Sequence, residues 1–385
     1  MRTIRILITT LLLTGVSTSF AQTTSSPTVS YVYLGGRDTS PHKIHAIRLQ
    51  ANGSAHLVPG SPFSAAALTN GSPQTFLAVS TNFVYASDTQ NIATFRRSSN
   101  GALTFASSVT ATTDTIDTLT LDRTASNLYA GAGGPRLGGA EYSVFDKGTQ
   151  GQLTAASQLS GAQSDAELQF NHSNKFAYTT DHPFANLPEI TGQHCSFEAY
   201  IRATDGSLSP FDPQLSPPTG VATNDFCPAS VASSALGFVA VAYRTLDPNQ
   251  GVGTGVHSIA VYWVLTSGEL QLVSNFVTTL NAAQPIMLQF DPSGTFLAAA
   301  GAQGIQLYKL SSTGKLTKSG LPLYTHTRFR DVRWDHSGHV TTISFGTVYF
   351  FGLKNGQLVQ TNPPIPLGGP FDTDGISDIR VVSLQ

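Results

Sequence analysis

A short glycine phrase recurs seven times along this chain and constrains its fold more than any other feature. It reads NGSAHL at Gly53, NGALTF at Gly101, QGQLTA at Gly151, DGSLSP at Gly206, SGELQL at Gly268, TGKLTK at Gly314 and NGQLVQ at Gly356. Successive glycines lie 48, 50, 55, 62, 46 and 42 residues apart. Units of that length hold four short strands each and exceed the shorter helical repeats.

The flanking residues agree. Alternating runs such as SIAVYWVLT (258–266) and GIQLYKLSS (304–312) precede the phrase, with the period of two that half-buries a strand. Asn-Gly, Asp-Gly and Ser-Gly then supply positive φ for a tight hairpin, so each phrase is read as the turn from third to fourth strand. A second phrase, as in LQFDPSGTFLAAAG (288–301) and VRWDHSGHVTTISF (332–345), pairs an innermost strand with a second strand buried on both faces. No stretch carries a capped helical period.

Six complete units start near Gln74, Thr115, Asp165, Ala229, Gln284 and Phe329. A lone innermost strand, GISDIRVVSL (375–384), ends the chain, and its missing partners SYVYLGG, KIHAIRL and SAHLVPG stand at the other end. The fold class expected is therefore an all-β seven-bladed propeller with four antiparallel strands per blade. Its last blade is closed by N-terminal strands plus the C-terminal inner strand, which removes exposed sheet edges.

Residues 1–21 read as a secretory signal: Arg2 and Arg5, an apolar middle too short to span a bilayer, and Ser19-Phe20-Ala21 before the cut. Residues 22–385 are then a single exported propeller domain, secreted or periplasmic. With 21 Lys and Arg against 23 Asp and Glu, unclustered, nucleic acid and anionic membranes are excluded as partners. A monomer without a cofactor is expected. In an oxidising compartment the two cysteines, Cys195 and Cys227, are expected to pair and restrain the most elaborated part of the rim.

Four loops on one face are long: 35–43, 131–141, 180–195 and 243–257; a fifth, 211–227, carries Cys227. Loop length beyond what closure needs reflects function or disorder. Their polar residues Arg37, Asp38, Arg136, Asp181, His182, His194, Asp225, Arg244 and His257 are the site candidates. His326, Arg328 and Arg330 of YTHTRFRD join them. Arginine grips carboxylates at two points, and histidine exchanges protons near neutral pH. No metal site is expected. FDTDGISD, with Asp372, Asp374 and Asp378, lacks the later ligand and flanking helices of a helix-loop-helix calcium site and reads as a turn.

YVYLGGRD (31–38) with IHAIRLQANGSAHLVPGSPF (44–63), and the unit DPSGTFLAAAGAQGIQLYKLSSTGKLT, resemble lactonase-type seven-bladed propellers, the group typified by 6-phosphogluconolactonase and carboxymuconate cyclase. The segments HTRFRDVRW and TTDHPF are the nearest approaches to that group's histidine phrase. The resemblance implies hydrolysis of a lactone or sugar-acid ester at the loop face of the channel. His182 or His194 would activate water there, and Arg37, Arg136 or Arg244 would hold an oxyanion or carboxylate. The alternative is a non-catalytic exported propeller that binds a glycan, peptide or protein through its long rim loops.

Overall fold

The computed structural model describes residues 26–36, 42–68, 75–111, 116–132, 140–162, 167–180, 197–222, 226–245, 258–277, 285–367 and 378–384. Strands are numbered in chain order. The chain begins with β1 (Thr28–Gly35), β2 (Lys43–Gln50), β3 (Ala55–Leu57) and β4 (Phe63–Ser64). The next blade holds β5 (Phe76–Val79), β6 (Phe83–Ser87), β7 (Asn91–Arg97) and β8 (Leu103–Thr110). It is followed by β9 (Thr118–Leu121), β10 (Asn127–Ala132), β11 (Ala140–Lys147) and β12 (Leu153–Ala162). The fourth blade has β13 (Gln169–Phe170), β14 (Phe176–Thr180), β15 (Phe197–Arg202) and β16 (Leu208–Phe211). The fifth has β17 (Phe226–Ser233), β18 (Phe238–Thr245), β19 (Ser258–Val264) and β20 (Leu270–Val277). The sixth has β21 (Pro285–Phe290), β22 (Phe296–Gly301), β23 (Gly304–Leu310) and β24 (Leu316–Leu323). The last consists of β25 (Val332–Trp334), β26 (His339–Ser344), β27 (Thr347–Lys354) and β28 (Gln357–Pro366), and β29 (Asp378–Ser383) ends the chain.

Each set is an antiparallel sheet, and β29 pairs with β1 so that the first blade runs β29-β1-β2-β3. The seven-bladed propeller and its closure by both ends of the chain are therefore as expected. Described residues contain no helix. The outer edge of the closing blade differs from the single strand expected: β3 and β4 pair separately with β2. Between them Val58-Pro59-Gly60 turns the chain at a Gly60 φ of 87°, and Pro59 has no N–H to offer a ladder.

Blades interlock through the repeated glycine. Gly101 has φ 88°, and a Cβ there would lie 2.4 Å from the Tyr31 ring of the preceding blade. Gly151 and Gly268 meet Phe83 and Phe176 in the same way. Only a residue without a side chain both takes this φ and lets the neighbouring ring in. Tyrosines of the second strands complete the joint. Tyr33, Tyr129 and Tyr178 donate their hydroxyls to the carbonyls of Gly101, Gly206 and Gly268 at 2.9, 2.8 and 2.9 Å. The cores lie between blades, built from these rings and from the small residues of strands such as β22, FLAAAG.

The turn from first to second strand is capped by an acid or amide at one repeated position. Asp122, Asn171, Asp291 and Asp335 each accept backbone N–H bonds from the following turn. Asp335 also accepts from Ser30 at 2.9 Å and holds the His339 ring at 2.9 Å, tying two blades together.

Candidate functional site in the central channel

Two neighbouring inner strands carry the same triplet. Asp331-Val332-Arg333 enters β25 and Asp378-Ile379-Arg380 opens β29. In a strand, residues i and i+2 share a face, so both aspartates and both arginines look into the channel while Val332 and Ile379 enter the cores. Glu167 reaches them from the start of the fourth blade, three blades after β29 and three before β25, and so from the opposite wall. Leu168 beside it enters the core, which aims Glu167 and Gln169 inward by the same alternation.

The five charges form one network. Glu167 receives Arg333 at both carboxylate oxygens, Nη1 to Oε1 at 3.3 Å and Nη2 to Oε2 at 2.6 Å. Its Oε2 also receives Arg380 Nη1 at 3.0 Å. Arg333 Nε donates to the Ile379 carbonyl at 3.1 Å and lies 3.2 Å from Asp331. Arg380 donates Nε to the Leu77 carbonyl at 2.7 Å and Nη2 to the Leu119 carbonyl at 3.0 Å, and its Nη1 pairs with Asp378 at 3.1 Å. Asp378 accepts Leu77 N–H at 2.7 Å, and Asp331 accepts Ile379 N–H at 3.2 Å.

Three carboxylates face two guanidiniums, and burial does not favour that excess of negative charge. Burial pushes the Asp378 carboxyl up to about 7, against the pull of Arg380 and Arg333. Burial likewise raises Asp331. Glu167 is also penalised by burial, but Arg333 and Arg380 outweigh it and hold its carboxyl below the usual range. For Arg333, burial opposes the charge, while Asp331, Glu167 and Asp378 overcome it and raise its pKa further. The network thus keeps Arg333 and Glu167 ionised and favours the protonated form of the buried aspartates.

Beside the network lies a cavity of about 190 Å³, lined by Glu167, Arg333, Arg380, Gln289, Thr120 and Trp334 among others. Asp331 and Asp378 stand behind the arginines, outside that lining. A wider bowl of about 530 Å³ shares Val79, Leu121, Gln289, Trp334 and Val381 with it and reaches Arg123 and His336 at the face of the first-to-second-strand turns. Gln289 is fixed by Trp334, whose backbone N–H donates to its Oε1 at 2.8 Å and whose indole donates to its carbonyl at 3.1 Å.

Most rim candidates are not among the described residues. Arg37, Asp38, Arg136, Asp181, His182, His194, Cys195, Asp225 and His257 lie outside the described residues, as do Asp372 and Asp374. Two placements are corrected. Cys227 and Arg244 are not loop residues but directly paired positions of β17 and β18, and Cys227 is buried. The run Phe226 to Ser233 starts its strand earlier than expected because Phe226 packs on Tyr243, with ring centroids 4.8 Å apart. His326 is exposed in the turn before β25, and the Arg330 guanidinium lies over the Phe345 ring, 5.9 Å from its centroid. Asp378 belongs to the arginine network and opens a strand. The sequence reading missed Glu167, Asp331, Arg333 and Arg380; the doubled Asp-x-Arg at equivalent blade positions was the available signal.

No protein-family model matches the sequence, and no curated protein matches it. Among solved structures, a protein of Bacteroides fragilis provisionally assigned as a 6-phosphogluconolactonase is 15% identical, with TM-score 0.64, covering 93% of this chain and 99% of that one. A second, from Bacteroides uniformis with the same provisional assignment, is 15% identical with TM-score 0.64, covering 92% and 100%. A protein from Lactobacillus plantarum is 16% identical with TM-score 0.61, covering 92% and 99%. At such identities the likeness is one of fold, and it agrees with the seven-bladed propeller described above.

Proposed function

We propose that this chain is an exported lactonase-like propeller that hydrolyses a lactone or related sugar-acid ester in its central channel. The observation that carries this reading is the buried Arg333 and Arg380 pair on the wall of the polar cavity. Two fixed guanidiniums in a low-dielectric site suit the oxyanion that develops when water adds to an acyl carbon. In that reaction the hydroxyl goes to the carbonyl carbon, the ring C–O bond breaks, and the ring oxygen leaves with the proton. Asp378 and Asp331 behind the guanidiniums hold them in place for that role, and the proton that reaches the ring oxygen is the attacking water's own. The rim residues Arg37, Arg136, His182 and His194, with Arg244 near the end of β18, are proposed to complete the loop-side mouth, and a Cys195 to Cys227 bridge to restrain it.

A panel of lactones offered to the purified mature protein tests the reading. Turnover is expected, falling by roughly 10²-fold in Arg333→Gln or Arg380→Gln, with smaller losses for Arg37→Ala, Arg136→Ala, His182→Ala and Arg244→Ala. Absence of turnover across the panel would remove it. Peptide mapping without reductant tests the bridge, and export is tested by the N-terminus of the protein recovered from outside the cytoplasm.

One observation favours the second reading, a rim that binds a glycan, peptide or protein. Phe345, in the turn from β26 to β27, is 54% exposed with φ 42°. A bulky residue in the left-handed region is strained, and such strain collects at functional positions. Phe345→Ala that abolishes partner capture yet spares hydrolysis would assign the rim this separate task.

A further inference from the structure

We infer that Glu167 is an internal, displaceable occupant of a carboxylate-binding site, and that the ligand of this site is a hydroxy-carboxylate whose acid group takes the place of the Glu167 side chain between Arg333 and Arg380. The inference rests on the channel being the ligand site and names the product class that lactone opening would release there.

The two arginines do not need Glu167 to be in position. Arg380 is anchored by two carbonyls of neighbouring inner strands, Leu77 and Leu119, and by Asp378 of its own strand. Arg333 is anchored by the Ile379 carbonyl and by Asp331, two residues before it. What faces inward is one array: both terminal nitrogens of Arg333 and Nη1 of Arg380, which Asp378 also holds at 3.1 Å. Glu167 takes all three contacts, at 3.3, 2.6 and 3.0 Å. Paired N–H donors of this kind match the two oxygens of any carboxylate.

The three acids also differ in where they stand. Asp331 and Asp378 lie behind the guanidiniums and are tied to backbone N–H groups of Val332, Ile379 and Leu77. Glu167 alone lines the cavity, comes from the far wall and is 18% exposed, against 8% and 10% for its arginine partners. Its removal leaves two guanidiniums facing two aspartates, and an incoming carboxylate restores the charge that Glu167 supplied between the guanidiniums. Space for the remainder of the ligand is already present: the cavity of about 190 Å³ opens past Gln289 and Trp334 into the larger bowl. A polyhydroxylated tail would meet amide, indole and hydroxyl groups along that path.

Trp334 lines the cavity, whereas Trp263, the other of the two tryptophans, lies on β19 at 39% exposure. In a Trp263→Phe background, fluorescence therefore reports the site. Sodium acetate and sodium gluconate would be titrated at constant ionic strength against sodium chloride. With Glu167→Ala, saturable changes are expected at concentrations at least about tenfold lower than with Glu167 present, since an internal competitor has been removed. Adding Arg333→Gln should abolish them. If Glu167→Ala does not fold, Glu167→Gln keeps the shape, weakens the competitor and should shift the titration the same way. Titrations that superimpose with and without Glu167, or acetate that behaves as chloride, overturn the inference. Binding is read without turnover, so hydrolysis with no acetate site would remove only this inference. An acetate site without hydrolysis would remove only the proposed activity.

Discussion

Arg380, on the last strand of the chain, donates Nη1 to a carboxylate oxygen of Glu167 at 3.0 Å, across 213 residues of sequence and the width of the channel. The same side chain binds the carbonyls of Leu77 and Leu119, so the closing strand is fastened to three other blades at once. Arg380→Met would leave Glu167 and Asp378 with one guanidinium between them. Breaking one partner out of a buried network costs about 3–5 kcal/mol, and guanidinium unfolding should show a loss of that size. A loss below about 1 kcal/mol, the range of exposed pairs, would mean that the network does not hold the ring.

The same network sets a pH dependence. Asp378, raised to about 7, and Asp331, also raised, hold protons in the folded chain at pH values where the unfolded chain has lost them. Stability therefore falls as pH rises from about 4 through the folded pKa, by up to about 1.4 kcal/mol per pH unit for each such group, and levels off above it. Glu167, with its pKa lowered, acts in the opposite sense below about pH 4, where its contribution is lost as it protonates. Urea unfolding between pH 5 and 8 should show declining stability, and Asp378→Asn should flatten the decline. A profile rising toward pH 8 would contradict this assignment.

Glycine pairs separate backbone strain from blade packing. Gly101 and Gly220 have φ of 88° and 87°, but an added Cβ meets Tyr31 at 2.4 Å in the first and nothing within 4 Å in the second. Gly220→Ala is expected to cost about 1–2 kcal/mol for the left-handed backbone alone. Gly101→Ala should cost a further 1–3 kcal/mol or so from overpacking. Equal losses in thermal unfolding would show that the ring against the glycine carries no weight.

The tyrosine to glycine bonds between blades are tested by Tyr178→Phe, which deletes only the hydroxyl bound to the Gly268 carbonyl. A loss of about 1 kcal/mol is expected. Tyr129→Phe should cost more, because the Tyr129 hydroxyl also accepts Arg202 Nε at 3.1 Å and a charged donor would lose its partner. The order of the two variants in chemical unfolding is the result to check.

The propeller was legible in the sequence because its determinants are local and repeated. Positive φ at Gly101 or Gly268 requires glycine wherever the chain goes, and period-two alternation in SIAVYWV needs only a neighbouring strand. Even the closing blade followed from counting inner strands, since seven turns and six complete units leave one strand at the C-terminus to meet Tyr31 and its neighbours. The channel site was not legible, because its members come from distant parts of the chain. Asp331-Val332-Arg333 and Asp378-Ile379-Arg380 read singly as ordinary strand starts, and Glu167 as one more polar residue before a strand. Only ring closure sets the fourth blade opposite the last two inner strands and brings Glu167 within 2.6 Å of Arg333. Local periodicity thus determined which strands form and how blades repeat. The tertiary ring decided which charges meet, because blade order around the channel fixes distances that no spacing along the chain encodes.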